Sequence, residues 1–380
     1  MSKKNIIFFA DWFEPGYRAG GPIRSVTNMV SKLSKHHQIF VVTRITDFGS
    51  DKPYAGIEQG EWMDFKGAKV VYYSESQFNK KLINKLFDEI SPDFIHLNSF
   101  FSQLFTILPL KIAKKRKIKV VLAPRGMLGE GALEIKKAKK KIFIAIAKVF
   151  GWYKGITWHA STDVEASEIK AVFPKAKTIS ALNLVDFDIQ NPDNLILHKS
   201  TDELRLIFLS RISEKKNLIF AIESVLNSKP KKRIQFDIYG PIEDEVYWEK
   251  CKSIIKNTNL ITIEYKGEVS YKDVKPTFAK YHCFILPTKH ENFGHVFIES
   301  WSQGCAVLIS KNTPWRNLSQ SEAGWDIELE NKEEFSSRIN YLSNLGQNEL
   351  IHLMNNSLKF ANQISNDETN IKNNLTLFHG

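Results

Sequence analysis

The stretch CFILPTKHENFGHVFIESWSQGCAVLIS, residues 283–310, decides the fold. Residues 283–287 are a short apolar run of strand type, and 288–294 are polar and loop-like. Residues 295–303 pattern as a helix, and Gly304 is a natural helix stop before a second apolar run at 306–310. Glu291 thus leaves the carboxyl end of a strand, and Glu299 sits about one turn inside the next helix. In open parallel sheets that strand end is where ligands bind. Two carboxylates so placed can grip two hydroxyl-bearing parts of one ligand. Taken alone, the stretch also fits a helix-terminal acid followed by an ordinary surface glutamate.

Outward from this unit the same alternation repeats. Strand-type runs fall at 5–10, 39–43, 70–73, 94–97 and 120–123, with helical patterns at 23–35, 82–90 and 104–115. After a stretch rich in Asp, Asn and Pro near 186–200, a second series begins at 206–209, 236–239, 261–265, 284–286 and 307–309. Alternation of this kind predicts α/β domains with parallel sheets covered on both faces. The 380 residues suffice for two of them. The expected boundaries are 1–185 and 186–365.

LRLIFLSRISEKKNL, residues 204–218, is an apolar strand followed by Arg211 and, five residues on, Lys216. Fixed positive charge of this kind suits a diphosphate leaving group, on which bond cleavage develops negative charge. This segment resembles the G-R-L-x3-K-G motif of glycosyltransferase family 4, and the 283–310 stretch resembles that family's signature. Ser210 and Asn217 stand where the family usually has glycine. The resemblance implies a GT-B fold, two Rossmann-like domains whose parallel sheets face a central cleft, with a last helix at about 366–380 packed back on the first domain. It further implies a retaining hexosyltransferase using a nucleoside diphosphate sugar, UDP-linked in preference to GDP-linked. Arg211 and Lys216 would stabilise the departing diphosphate, and Glu299 would accept from the ribose hydroxyls. Glu291, with backbone amides around Asn292, Phe293 and Gly294, would orient the donor sugar. The acceptor would be a glycan, lipid-linked, in surface polysaccharide biosynthesis (O-antigen, capsule or exopolysaccharide). No cofactor or metal is expected, since fixed cations can replace one. Asp186-Phe187-Asp188 reads as structural. A different class of function also fits: a catalytically silent sugar-nucleotide-binding subunit serving a partner enzyme.

The first domain carries weaker signals. DWFEPGYRAGGP, residues 11–22, follows the first strand and opens the first helix. Gly20 and Gly21 allow close backbone approach, Pro22 suits a first helical turn, and exposed amides there favour phosphate. No Gly-Lys-Ser/Thr follows, so this is not a P-loop. SPDFIHLN, residues 91–98, resembles the family's P-D-h-h-H-x-H strand end, which offers His96 and Asn98 as acceptor-side residues; a structural histidine fits equally. VLAPRGML, residues 121–128, places Arg125 where many relatives have a histidine near the reacting sugar. A guanidinium stays protonated and is no practical base; lining the site, Arg125 would hold an acceptor phosphate or a donor hydroxyl. STDVE, residues 161–165, resembles the family's short Ser-x-x-E helix start and reads first as a structural capping-box-like element, and second as an acceptor-side contact.

Charge is uneven. Residues 1–185 carry 30 basic against 16 acidic residues, a net +14, and 186–380 carry 23 against 26, a net −3. Residues 111–154 alone hold 14 basic and 2 acidic. Within them Lys136, Lys137, Lys139, Lys140 and Lys141 precede IFIAIAKVFGWYK, the composition of a helix lying on an anionic membrane surface. A core helix with a solvated lysine face is the alternative; nucleic acid is a poorer reading, for no binding motif accompanies the charge. The start reads as a first strand rather than a signal peptide. Cys251, Cys283 and Cys305 have no ligand spacing and read as buried thiols of a reducing compartment. The expected location is cytoplasmic, at the inner face of the membrane if the basic helix docks there.

Overall fold

A computed structural model describes residues 3–134, 136–186 and 202–379. The chain divides into two compact units, Met1–Asp186 with Asp367–Gly380, and Phe187–Asn366. Phe187 and Asp188 of the Asp-x-Asp triplet, and most of the proposed linker, lie outside the described residues.

Among the described residues the first unit holds β1 (Asn5–Phe9), β2 (Gln38–Arg44), β3 (Met63–Phe65), β4 (Ala68–Tyr73), β5 (Phe94–Leu97), β6 (Lys119–Leu122), β7 (Thr157–Ala160) and β8 (Lys177–Ser180). They lie in the order β3-β4-β2-β1-β5-β6-β7-β8. β3 pairs antiparallel with β4, and every other pairing is parallel. Both faces are covered, which is why β1 reads NIIFF without alternation. Ile7 and Phe9 pack with Ile83, Leu86 and Leu110 of the helices Lys80–Ile90 and Leu108–Lys115. Ile6 and Phe8 pack on the other face with Val26 and Met29 of the helix Gly21–Leu33, and with Leu377 and Phe378 beyond the helix Glu368–Thr376. Lys4 Nζ donates to the Phe378 carbonyl at 2.8 Å, and Asn374 Nδ2 to that of Leu182 at 2.9 Å. The helix expected over 104–115 begins instead with a π-turn, Gln103–Ile107, before Leu108–Lys115. Ser102 caps it through Phe105 N, and Pro109 follows without a free N–H to close an ordinary first turn.

The second unit holds β9 (Glu203–Leu209), β10 (Arg233–Tyr239), β11 (Ile261–Gly267), β12 (Cys283–Leu286), β13 (Ala306–Ser310) and β14 (Gly324–Ile327). All are parallel, in the order β11-β10-β9-β12-β13-β14. In each sheet the strand order reverses at one place that positions the site: between β1 and β5, and between β9 and β12. The crevice outside the carboxyl ends of such a pair is where open α/β sheets bind ligands. No described helix is long and apolar enough to cross a membrane.

Candidate functional site

In the second unit the loops after β9 and β12 meet at the reversal. Lys289 N donates to the Lys215 carbonyl at 2.9 Å, and Thr288 Oγ1 to the same oxygen at 3.1 Å. Asn217 Nδ2 donates to the Pro287 carbonyl at 3.0 Å. Inside this stitching Lys216 Nζ donates to Glu291 Oε2 at 2.6 Å. Lys216 is only 8% exposed. Burial alone would raise the Glu291 carboxyl, but Lys216, Lys215 and the Asn292 N–H together outweigh it and hold the group below the ordinary glutamate value. Asn292 N donates to Glu291 Oε1 at 3.1 Å. Glu291 N donates to the Asn312 carbonyl at 2.8 Å, so the carboxylate is fixed at backbone and at both oxygens.

Gly294 ends this loop at φ 75°, ψ 67° and caps the helix His295–Trp301, which ends two residues earlier than the sequence predicts. A Cβ there would lie 2.4 Å from the Phe297 ring and 3.0 Å from Glu291 Cγ. Phe293 is buried, and its carbonyl accepts from Trp315 Nε1 at 2.7 Å. Glu299 lies on the second turn of the helix and is buried.

Arg211 behaves differently. Exposed after β9, it pairs with Glu243 at 2.5 Å, whereas Lys216 pairs with Glu291. The two cations that the sequence groups together are thus each held by a carboxylate of a different loop. Glu243 follows β10 in the run Gly240-Pro241-Ile242-Glu243, which carries no signal in the sequence, and Thr288 carries none either.

In the first unit Gly20 stands at φ 71°, ψ −135° before the thirteen-residue helix Gly21–Leu33. No side chain caps that helix and no acid lies in its first turn, but Gly20 N donates to the Tyr17 carbonyl at 3.0 Å, Pro22 has no N–H and Ile23 N donates to the Gly20 carbonyl at 3.1 Å, which leaves Gly21 N as the amide for an anion. The loop is braced by Asp47, which accepts from Tyr17 N at 3.0 Å and from Arg18 N at 3.3 Å.

Across the reversal, after β5, Asn98 Oδ1 accepts from Arg125 Nη2 at 2.9 Å. Arg125 Nη1 donates to Asn183 Oδ1 at 2.5 Å, a partner the sequence does not indicate. Burial draws the Arg125 guanidinium down to about 10, against the pull of Glu165. It remains charged at neutral pH, with both terminal nitrogens already engaged. Glu165 is buried and accepts from Gly126 N at 2.6 Å and Ser161 N at 2.7 Å, while Thr162 caps the helix Asp163–Val172.

His96 needs correction as an acceptor-side residue. It is 0% exposed, stacked on Phe8 at 4.7 Å and hydrogen-bonded to His159 at 3.3 Å. His159 Nε2 faces the Ala181 carbonyl at 2.9 Å and must carry the proton there, so its Nδ1 accepts from His96 Nε2–H. Burial, first of all, keeps both rings well below the ordinary histidine value, His159 at about 3. The basic helix also differs in detail from its sequence reading. It spans Lys137–Val149, with Lys136 at its N-cap in a left-handed conformation. Lys140 turns inward, donating to the Ala132 carbonyl at 2.5 Å over the Phe101 ring, and Lys137 pairs with Glu134 at 2.7 Å.

Two parallel-sheet α/β units of this topology match the GT-B glycosyltransferase structures. HepE from Anabaena, solved in complex with UDP and glucose, superposes with a TM-score of 0.64 at 14% identity over 97% of each chain, a likeness of fold. Residues 193–359 match the family model of glycosyl transferases group 1. The match to that model covers the second unit, and the likeness to HepE is one of GT-B fold. The chain is similar, at 24% identity over 57% of its length, to an uncharacterised 41.2 kDa protein in the cps region of Klebsiella pneumoniae. It is 30% identical over 30% of its length to a poly(glycerol-phosphate) alpha-glucosyltransferase of Bacillus subtilis. The matched stretches span 60% and 17% of those two relatives' own lengths.

Proposed function

We propose that this chain is a retaining glycosyltransferase of family 4 type. It moves a hexosyl group from a nucleoside diphosphate sugar, UDP-linked by preference, to a lipid-linked glycan in surface polysaccharide assembly. The observation that carries the reading is the Lys216–Glu291 pair at the reversal between β9 and β12. A diphosphate entering there takes over the Lys216 ammonium, and Arg211 leaves Glu243 for the second phosphate. Glu291, ionised at neutral pH because its carboxyl is held low, then accepts from a donor-sugar hydroxyl and cannot serve as an acid. Glu299 accepts from the ribose. The anomeric C–O bond breaks with its electron pair going to the diphosphate, whose charge the cations stabilise without a metal. The acceptor oxygen forms the new bond on the same face, and its proton passes to the leaving phosphate oxygen. Within the first unit, the Gly21 amide at its helix N-terminus and the engaged Arg125 are the candidate groups for anion and acceptor binding.

The relatives support the pathway class: one is named a glucosyltransferase, one lies in a capsule region, and HepE was solved with UDP and glucose. Location at the inner face of the cytoplasmic membrane is supported by the exposed lysines and apolar side chains of the helix Lys137–Val149. The test is a screen of nucleoside diphosphate sugars for hydrolysis and transfer by the purified protein. Glu291→Gln and Lys216→Ala should each lower turnover by about a hundredfold or more, with an unchanged circular dichroism spectrum. Wild-type turnover in both variants would overturn the site. Donor binding with no turnover of any donor would favour the silent binding subunit.

A further inference from the structure

At the opposite edge of the first sheet from Gly20 and Arg125 lies a cavity of about 920 Å³. Phe94, Lys119, Thr157 and Lys177, the first residues of β5, β6, β7 and β8, all line it. The volume is that of a ligand pocket. Its wall is apolar, with Tyr153, Trp158 and Phe173 packed together at ring separations of 5.1–5.6 Å. Seven lysines and no acid are among its lining residues. Three are engaged locally: Lys114 Nζ donates to the Gly151 and Trp152 carbonyls, and Lys119 and Lys148 lie over the Phe94 and Phe173 rings. Lys117, Lys154, Lys175 and Lys177 are exposed, and among the described residues none of them forms an ion pair. Burial, then Lys154, holds Lys114 below the ordinary lysine value, the crowding that a bound anion relieves.

The surroundings identify the kind of anion. Ala147 and Lys148 of the helix Lys137–Val149 line the cavity. The next two residues, Val149 and Phe150, are 82% and 71% exposed, and Ile146 and Ile142 continue this apolar edge one and two turns back. A cationic, aromatic-walled cavity beside exposed apolar side chains complements an amphiphile: phosphate toward the lysines, hydrocarbon on the rings and the helix edge. We propose that this cavity binds the phosphate headgroup and proximal acyl chain of an anionic glycerophospholipid. The proposal rests on the membrane reading above for the source of its lipid, and gives that contact a stoichiometric site distinct from the lysine run 136–141.

The test titrates the full chain with dihexanoyl phosphatidylglycerol below its micelle concentration, by calorimetry. Saturation at one lipid per chain is expected. Lys154→Gln/Lys175→Gln/Lys177→Gln should weaken it about tenfold or more, since each lysine near an anionic lipid contributes appreciably. Neutralising Lys136, Lys137, Lys139 and Lys141 should leave it within about twofold. Unsaturable binding, or wild-type affinity in the triple variant, overturns the proposal, as does inorganic phosphate or glycerol phosphate binding as tightly as the lipid. Flotation with vesicles of phosphatidylglycerol in phosphatidylcholine judges the membrane reading separately. Flotation that survives the triple variant, with no saturable site, sinks the cavity and spares the membrane contact. Saturable lipid without flotation does the reverse.

Discussion

Asn217 stands at φ 61°, ψ 44°, where the motif it resembles has glycine. The left-handed conformation costs an ordinary residue about 1–2 kcal/mol and is tolerated by Gly and Asn. Asn217 also returns a hydrogen bond to the Pro287 carbonyl, worth about 1 kcal/mol. Asn217→Gly should therefore stay near wild type, losing only that bond, whereas Asn217→Val should lose roughly 2–3 kcal/mol. In a thermal melt of a unit this size, that is a fall of roughly 4–12 °C; equal melting of the two variants would contradict the account. The second departure, Ser210, is explained from across the sheet. Ser210 N donates to the Tyr239 carbonyl at 3.1 Å, and the close approach is allowed by Gly240, whose Cβ would lie 1.9 Å from the Ser210 carbonyl oxygen. The glycine this contact needs is on β10's exit loop, not at the motif position. Glu291 carries a pH expectation. Its folded value lies below the ordinary 4.5, so the Lys216 pair contributes stability that is full above that pH and lost as pH falls through the lower folded value. An acid limb of activity belonging to Glu291 should accordingly fall below pH 4.5, and a limb near 6 that vanishes in Glu291→Gln would contradict it.

At the scale of elements, β5 and β7 are joined over β6 by the His96–His159 hydrogen bond. Both rings are kept neutral by burial, so their folded values lie below the ordinary 6.5. The unfolded chain then binds more protons between 6.5 and the folded values, and stability falls as pH drops through that window. Each neutral histidine costs up to about 1.4 kcal/mol per pH unit there. Denaturation followed from pH 7.5 to 5 should show this slope, and His159→Asn should flatten it; an unchanged slope would place the acid sensitivity elsewhere. The same strands show what was legible in the sequence. Runs such as NIIFF and QIFVV announce themselves, because burial on both faces makes them apolar without interruption. TWHA, KTIS and GWDI do not. His159 is tolerated inside β7 only because Ala181 and His96 satisfy it, β8 is half-exposed, and β14 opens on a glycine. The site divides likewise. Lys216 and Glu291 each lie in a readable local motif, but their contact spans 75 residues and follows from β9 neighbouring β12. The lysine-lined cavity was not legible at all, for its residues come from the starts of four strands and the loops around them.

At the scale of the molecule, the chain leaves the second unit after the helix Gln347–Ser365 and ends in the first with Glu368–Thr376. The last helix is polar over most of its length, and what it delivers is the pair that follows it. Leu377 and Phe378 are both buried, with Phe378 among Phe8, Phe94, His37 and His96. This segment, so distant in sequence, completes the core face of the sheet in which β5 leads to Asn98 and against which the helix after Gly20 packs. Phe378→Ala removes a fully buried ring and leaves a cavity, a loss of roughly 3–5 kcal/mol. It also strips the packing from the His96 ring, so water reaches the neutral pair and the acid window above should narrow. Phe378→Leu keeps most of the volume and should cost less than half as much. Hydrogen exchange resolves the units separately: amides of β1 and β5 should lose protection in Phe378→Ala, while those of β9 and β12 keep theirs. Equal loss in both sheets would mean that the two units unfold as one, and no loss in either would mean that the C-terminal segment does not support the first core.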